Sequence, residues 1–567
     1  VKIQGHASGS GVITVTAPNT STDRTITLPD GTGTLSFGSS TAEIKSAITL
    51  QTTATSNIGL GANAVDSITT GDNNVGLGDN ALTAATSGGS SVAVGTGALQ
   101  TMTTQSDNVA VGLNALRDNT ASHTTALGSY ALYQNTSGAG NTAVGYTALE
   151  SNTTGASNTA VGKDSLDANT TGSNNTAVGL DSLSANITGA DNTALGYGAL
   201  PANLTSGNTA VGKQSQRVTT TGASNTSMGK HSMYANTTGA NNVAIGNDAL
   251  SGNTTGSTNT AVGTLTLVAN TTGQHNTAVG YQALRANTTA NDNTSGGYNS
   301  MLTNTTGYSN TAFGIYSLRQ NTTGYGNVAL GQSALLNNTT AFKNTAIGYN
   351  TMYDSTTADR NAVVGYLSGQ NITTGSQNSF LGQESGQWVT TGNNNTCVGN
   401  ISGNALTTGT YNVFLGRAAG ANITGSSNNL YIARDNTDYA NAATWIHGDS
   451  NGACYQGNNS SSWSTSSDER VKKDIVDSPN GLAKIDAIQV RDFNYRTQEE
   501  ITVEGLHSSD AAGLQTGVIA QELETVLPKA VSTSPKGQKR VHTDPVFWAM
   551  VKAIQELSAK VTALENA

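Results

Sequence analysis

Apolar and polar positions along most of this chain follow a unit of 17 residues that reads N-T-A-V-G-x-x-A-L-x-x-N-T-T-G-x-x, as at 141–157. The T-A-V segment alternates between faces, which predicts a short strand, and x-x-A-L predicts a second strand before N-T-T-G turns the chain. A unit of this length can hold two strands and two turns, whereas a strand, a helix and two loops need more chain. We expect Val and Leu on one side of these strands and Ala and Thr on the other.

The glycine that closes each N-T-A-V-G segment shows how constant this period is. It recurs in 22 units from Gly61 to Gly416, at a spacing of 17 residues with two steps of 16. Such a period requires each unit to lie directly on the previous one, which predicts a mainly β protein built as a parallel β-solenoid. In 20 of the 22 units Asn stands four positions before the glycine, so we also expect a column of amides hydrogen-bonded along the axis.

Composition excludes several classes of function. Only 11% of the 567 residues are charged and 5% are aromatic, while Gly alone accounts for 66, which is unlike an ordinary enzyme. The net charge of −10 argues against nucleic acid as a partner. Cys397 and Cys454 are the only cysteines, so we predict no disulfide framework, no metal site and no cofactor, with Cys397 filling a small buried slot. No apolar run approaches the roughly 20 residues of a membrane span.

A single coil of this kind is thin, and something must cover the second face of its strands. Three identical chains around one axis would cover it, because small residues permit close approach. The segments NTAVG and NNVAIG resemble the S-V-A-I-G coils of the left-handed parallel β-roll in trimeric autotransporter adhesin heads. This resemblance implies a β-roll shaft within a homotrimer, although the adhesin coils are shorter.

The segments that flank the solenoid, which we place at 57–427, differ from it. Residues 1–40 form a small β module with strands in VITVTAP, TITLPD and GTLSF, and they resemble segments that recur in bacteriophage tail fibres. Residues 41–56 are a linker with a short helix at 42–48. We expect the region that attaches to a virion tail or baseplate protein to lie before Val1.

Residues 428–466 form a distal cap or tip in which aromatic side chains gather. Tyr431, Tyr439, Trp445 and His447 are candidate binding residues, because aromatic faces beside amide side chains are typical of sugar-binding surfaces. The alternative is a small cap that buries these rings to close the solenoid. The two interpretations can hold together.

Two further patterns match functional motifs but predict no function here. Asp164 and Asp181 occupy equivalent places in adjacent units and could flank a glycosidic bond, but no insertion that forms a pocket accompanies them, so we interpret the pair as coincidence. The repeated Asn-x-Thr triplets match the glycosylation pattern, and within a repeat we interpret them as turn chemistry.

The composition changes at Ser467, because residues 467–567 hold 27 of the chain's 62 charged groups. The segments SSDERVKKDI at 466–475, GVIAQELETVLPKAV at 517–531 and KAIQEL at 552–557 closely resemble the C-terminal intramolecular chaperone and self-cleaving domain of phage tailspikes and tail fibres. The resemblance implies an α+β domain at 467–567 in which Ser467 attacks the peptide bond that follows Ser466 and Lys472 takes the proton. A serine hydroxyl needs such a base to become a nucleophile, and Lys can serve once its neutral form is favoured.

The closing segment spaces its apolar residues at threes and fours, which predicts a helix that joins three chains in a coiled coil. These residues are Val551, Ile554, Leu557, Val561 and Leu564. We interpret the chain as a homotrimeric phage tail fibre, located in the virion, whose partners are itself, a host-surface glycan or other receptor, and the virion tail. Its only predicted enzymatic activity is cleavage in cis. The alternatives are a bacterial trimeric surface adhesin and a tailspike that depolymerises glycan.

Overall fold

The computed structural model describes residues 3–4, 14–15, 56–433, 444–448, 454–456, 474–479, 481–501, 513–533 and 537–567. The chain divides into two compact units, residues 1–463 and 464–567. In the first unit, β1 (Ile3–Gln4) pairs antiparallel with β2 (Thr14–Val15). The second of these strands lies in the predicted VITVTAP strand. The other two strands predicted at the N-terminus and the helix at 42–48 lie outside the described residues.

One three-residue strand per unit forms the solenoid, from β3 to β24. These strands are Ile58–Leu60, Val75–Leu77, Val92–Val94, Val109–Val111, Thr125–Leu127, Thr142–Val144, Thr159–Val161, Thr176–Val178, Thr193–Leu195, Thr209–Val211, Thr226–Met228, Val243–Ile245, Thr260–Val262, Thr277–Val279, Thr294–Gly296, Thr311–Phe313, Val328–Leu330, Thr345–Ile347, Ala362–Val364, Ser379–Leu381, Thr396–Val398 and Val413–Leu415.

Each solenoid strand pairs in parallel with the same positions of the next coil, as Thr176 does with Thr193 and Val178 with Leu195. The predicted parallel β-solenoid is therefore confirmed, with 22 coils at the predicted period. Because neighbouring strands lie about 4.8 Å apart, the coils span about 100 Å along the axis.

The second strand predicted in x-x-A-L is wrong. In the coil that starts at Gly162, Asp164 and Leu166 have φ values of 55° and 52°, in the left-handed region, and the segment is a turn. The consecutive residues Ser165 and Leu166 are both fully buried. An extended strand would send neighbouring side chains to opposite faces, so the chain must curl to place both inside. The Leu166 amide still donates to the next coil, to the carbonyl of Ser182 at 3.0 Å.

The expected division of side chains between the two faces of the strands is also wrong. The central Ala of a strand and the Ala-Leu pair of the turn are buried together, as Ala143, Ala148 and Leu149 are. Thr142 and Val144, on either side of Ala143, point outward and stay partly exposed. The strand itself alternates as predicted, but the core is made of Ala and Leu and the outer face of Thr and Val.

The closing glycines let successive coils approach at one corner. A Cβ at Gly162, where φ is +137°, would lie 2.5 Å from the carbonyl oxygen of Gly179, and the other closing glycines face the next coil in the same way. Any side chain at this position would collide with backbone, so glycine is required by contact as well as by conformation.

The predicted column of asparagines is confirmed. Asn158 Oδ1 accepts the backbone N–H of Asn175 at 2.9 Å and the Asn175 side-chain amide at 3.1 Å. A second buried column, formed by the Asn of N-T-T, runs parallel to it: the Asn169 amide donates to Asn152 Oδ1 at 2.8 Å. The Asn of these N-T-T triplets therefore lies inside the coil, which agrees with a structural interpretation and not with glycosylation.

The last four coils rearrange this core. Their strand centres are Val363, Phe380, Cys397 and Phe414 instead of Ala, and glycine replaces the buried Leu of the turn. Ile, Val, Leu and Ile replace the second Asn column. Cys397 is fully buried as predicted, and burial raises the pKa of its thiol far above the usual range.

The second unit is α+β. Its described elements are α1 (Gly481–Asp486), β28 (Arg491–Phe493), a 3-10 turn (Gln498–Glu500), β29 (Gln515–Gly517), α2 (Ala520–Val526), a second 3-10 turn (Pro528–Ala530), β30 (Val531–Thr533), β31 (Lys539–Val541) and α3 (Thr543–Glu565). The pairs β28–β29 and β30–β31 are antiparallel. A small core forms around Leu523, Leu527 and Ala530.

Candidate functional site

The C-terminal end of the solenoid is closed by a strand pair of a different kind. After β25 (Leu430–Ala433), which continues the parallel stack, β26 (Thr444–Gly448) and β27 (Cys454–Gln456) pair antiparallel. The antiparallel strands end the repeat, because a further coil would have to pair in parallel with the last strand.

The predicted binding residues separate within this end structure. Tyr431 and His447 are buried, and their rings lie 6.2 Å apart between centroids. Tyr431 also packs on Phe414 at 5.6 Å, so it extends the solenoid core. Trp445 points outward and is 60% exposed. Tyr439 lies outside the described residues. The geometry favours a capping role for the two buried rings, and Trp445 is the exposed aromatic side chain among those that the structure describes between 428 and 466.

The chain also has an open groove on the side of the solenoid that the sequence analysis missed. Its volume is about 530 Å³. It is lined by Tyr316, Arg319, Gln320, Gln332, Ser333, Leu336, Asn337, Tyr349, Asn350 and Tyr353. The guanidinium of Arg319 lies 5.1 Å from the centre of the Tyr316 ring. These residues occupy variable positions of the repeat, written x in the unit, and the signal was their aromatic and amide composition in three successive coils.

Asp164, one of the two carboxylates in adjacent coils, is bound by side chains near it. Asp164 accepts a hydrogen bond from the Thr147 hydroxyl at 2.5 Å and pairs with Lys163 at 2.6 Å. The hydrogen bond from Lys163, followed by that from Thr147, lowers the pKa of Asp164. No grouping of three or more His, Cys, Asp or Glu side chains suited to a metal ion occurs among the residues that the structure describes.

The carboxyl group of Asp167, near Asp164, lies in surroundings that disfavour its charged form. Burial, and then the charge of Asp164, raise the pKa of Asp167 to about 6. One oxygen of Asp167 is buried and has no hydrogen-bond partner among the described residues. A carboxyl with a raised pKa makes the stability of this region depend on pH. It does not form a catalytic pair.

The predicted cleavage residues Ser466, Ser467 and Lys472 lie outside the described residues. The described part of the second unit begins at Asp474. There, the backbone N–H groups of Gly481 and Leu482 donate to the two carboxylate oxygens of Glu556 at 2.9 and 2.8 Å. These hydrogen bonds lower the pKa of Glu556 and tie the start of α1 to α3.

Helix α3 confirms the helix predicted for the closing segment, and its apolar face is exposed. The residues on it include Ile554, which is 65% exposed, together with Leu557, Val561 and Leu564. Phe547 and Trp548 add exposed rings near the start of the helix. A helix with such a face needs a partner to bury it. In the part of the chain that the structure describes, no helix has the length and apolarity to cross a membrane.

Residues 467–532 match the peptidase S74 family model, described as chaperone of endosialidase. No curated protein and no solved structure matches the chain. The family match and the parallel solenoid of 17-residue repeats together fit a tail fibre or tailspike with a C-terminal chaperone domain. They point to a phage-associated β-solenoid protein.

Proposed function

We propose that this chain is a phage tail fibre, a trimeric structural protein that binds the host surface and whose C-terminal domain directs folding and then cleaves itself off. The observation that carries the proposal is the chaperone family match, which begins at Ser467, directly after a 22-coil solenoid and its end structure. A long solenoid of near-identical coils can pair out of register, and a seed that aligns three chains removes that problem.

The exposed apolar face of α3 supports the trimer. Ile554, Leu557, Val561 and Leu564 recur at threes and fours along this helix, the spacing of a coiled-coil seam. Association of three such helices would bury the face and bring the three chains together at their C-terminal ends.

Self-cleavage follows from the serine and lysine of the resemblance. The Ser467 hydroxyl oxygen bonds to the carbonyl carbon of Ser466 while Lys472 accepts the hydroxyl proton. The carbon–nitrogen bond between Ser466 and Ser467 breaks, and the released Ser467 amine takes up a proton. Water then hydrolyses the ester, which frees residues 467–567 with an intact Ser467.

The test is the native mass of the expressed chain together with a denaturing gel. We expect a trimer and two bands from the wild type, and a folded but uncut trimer from Ser467→Ala and from Lys472→Ala. Lys473→Ala is the matched control, because it removes a neighbouring lysine outside the pair and should leave cleavage intact. A monomer would refute the fibre. A verified trimer that gives only a full-length band after heating would make the domain a permanent trimerisation cap.

Host binding by residues 428–466 is supported by the exposure of Trp445, which lies on β26 at the end of the solenoid. Trp445→Ala and Tyr439→Ala should reduce binding of the trimer to host cells. Trp388→Ala is the control, because Trp388 is an equally large exposed ring within a coil. Unchanged binding by an intact Trp445→Ala, Tyr439→Ala double variant would leave these rings with a structural role alone.

A further inference from the structure

The outward-pointing residues of the solenoid strands form one continuous strip, which we call the outer strand face. It consists of the first and third residues of β3 to β24. The third residue is apolar in 21 of the 22 strands, and the first is Thr, Val or Ile in 20. None of these positions holds a charged residue in a chain that has 62 charged groups. Random surface positions would not avoid charge so completely.

This strip is exposed in the single chain. Leu195, Val279 and Leu381, third residues of three strands spread along the solenoid, are 46%, 44% and 53% exposed. Over 22 coils this amounts to apolar area on the order of 1,000 Å², whereas the largest patch on a typical monomer is roughly 300–600 Å². Parallel sheets are normally covered on both faces, and the core side of this sheet is already filled by the chain itself.

One border of the strip is polar and the other is mixed. The residues two positions before the strands are mostly polar and include Asp107 and Asp191. The residues after the closing glycines include Lys163, but also exposed apolar and aromatic side chains such as Leu180 and Tyr298, which widen the apolar surface on that side. An apolar surface with a polar edge is common in protein interfaces.

The period of the strip identifies its partner. The apolar side chains recur once per coil, about every 4.8 Å, for about 100 Å. A partner that covers the whole strip must present contacts with the same pitch over the same length. The outer strand face of another copy of this chain has that pitch and length, and it carries no charge to be desolvated.

We propose that the outer strand face is the surface through which three copies of the chain pack along the solenoid, in register, each placing this face towards a common axis. The inference rests on the trimer of the proposed function and adds where and how the shafts meet. A trimer held only by its C-terminal domain would leave the strip in solvent.

Cysteine crosslinking of the assembled protein tests this contact. Val178→Cys places a thiol on the strip, and Thr171→Cys places one on the exposed turn that leads to the same strand. Both are made with Cys454→Ser, since Cys454 is exposed, whereas Cys397 is buried and can remain. After treatment with a short bis-maleimide, Val178→Cys should give covalent dimers on a denaturing gel and Thr171→Cys should not. Val279→Cys repeats the test if one substitution disturbs its coil.

The outcomes separate this inference from the trimer itself. A wild-type trimer in which Val178→Cys and Val279→Cys crosslink no more than Thr171→Cys would overturn the shaft contact and leave the fibre proposal standing. A wild-type monomer would refute both. Leu195→Asp gives a second readout: it should make the shaft of a verified trimer sensitive to protease, while Thr171→Asp should not, and equal resistance would count against the contact.

Discussion

Phe380 occupies the space that a side chain at Gly386 would need: a Cβ on Gly386 would lie 2.4 Å from Cε2 of the Phe380 ring. In most other coils the strand centre is Ala and the position of Gly386 is Leu. In this coil the large core side chain is therefore at the strand centre instead of in the turn, and the total volume of the core side chains stays similar.

This exchange predicts coupling between the two positions. Gly386→Leu should destabilise the folded protein by about 1–3 kcal/mol or more through overpacking, and Phe380→Ala by about 3–5 kcal/mol through a cavity. The double variant Phe380→Ala, Gly386→Leu should recover part of this loss, because it restores the composition of the other coils. Thermal unfolding measures the coupling.

Phe414→Ala combined with Gly386→Leu is the control for this coupling. The three atoms nearest to a Cβ at Gly386 all belong to Phe380, whereas Phe414 faces Gly420. The control pair should lose stability additively. Additive losses in the Phe380 pair as well would contradict the exchange.

Asp167 predicts a stability that falls as pH rises. Its pKa is about 6 in the folded protein, above the ordinary value of 3.8, so its protonated form is favoured by folding. The contribution of the protonated Asp167 side chain to the free energy of unfolding is fully present below pH 3.8 and is lost as pH rises through 6. Asp167→Asn should therefore raise the melting temperature at pH 8 and leave it unchanged near pH 3. The effect is at most about 3 kcal/mol, and less because the side chain is only partly shielded from solvent.

Asp66→Asn is the matched control for Asp167, because Asp66 stands at the same coil position but is exposed. It should change the pH profile little. If the melting temperatures of Asp167→Asn and of the wild type changed with pH in parallel, the ionised Asp167 carboxylate would not destabilise the folded protein, which would contradict the prediction.

Glu556 predicts the opposite dependence in the second unit. Backbone hydrogen bonds from Leu482 and Gly481 lower its pKa below the ordinary value of 4.5, so its stabilising contribution is present above that value and is lost as pH falls through the lower folded value. Glu556→Gln keeps only one oxygen able to accept, so one amide of α1 loses its partner. Hydrogen exchange of one of the two amides, Gly481 or Leu482, should become faster at neutral pH, while Glu565→Gln, at the end of α3, should leave both rates as they are.

The second buried Asn column, formed by the Asn of N-T-T, predicts that removing one of its side chains destabilises the protein. Asn169 donates to Asn152 Oδ1 and to the carbonyl of Gly172, and its own Oδ1 accepts from Asn186 at 3.0 Å. Asn169→Ala leaves buried partners incompletely bonded, which should destabilise the folded protein by about 1–3 kcal/mol. Asn247→Ala changes an exposed Asn and should cost far less in thermal unfolding. Equal effects would mean that water replaces the lost side chain.

The constant spacing of the closing glycines was enough to predict the solenoid, because an insertion would move every later side chain out of its layer. The turn could not be predicted in the same way. Ser165 and Leu166 look like half of an alternating pattern, and only the left-handed conformation of Asp164 and Leu166 places both inside. The sequence rule assumes an extended backbone, and here the hydrogen bonds between coils hold a curled one.

The candidate sites were predicted less completely. Aromatic residues near the end of the solenoid were recognised, but burial separates Tyr431 and His447 from Trp445, and burial depends on the antiparallel pairing of β25 and β26. The groove at Tyr316 and Tyr353 needs residues from neighbouring coils to meet, which no single unit reveals. The cleavage pair stays a prediction from the resemblance.

The contact between closing glycines makes the length of the solenoid proportional to its number of coils. Because each coil presents the same backbone to the coil before it and after it, removing residues 163–179 would set Gly162 against Gly196 as it now meets Gly179. We expect such a chain to fold with a solenoid one coil shorter, by about 4.8 Å, which averaged electron micrographs would measure. Unequal crossing-over within the gene would thus lengthen or shorten the solenoid by whole coils, without any new fold having to arise.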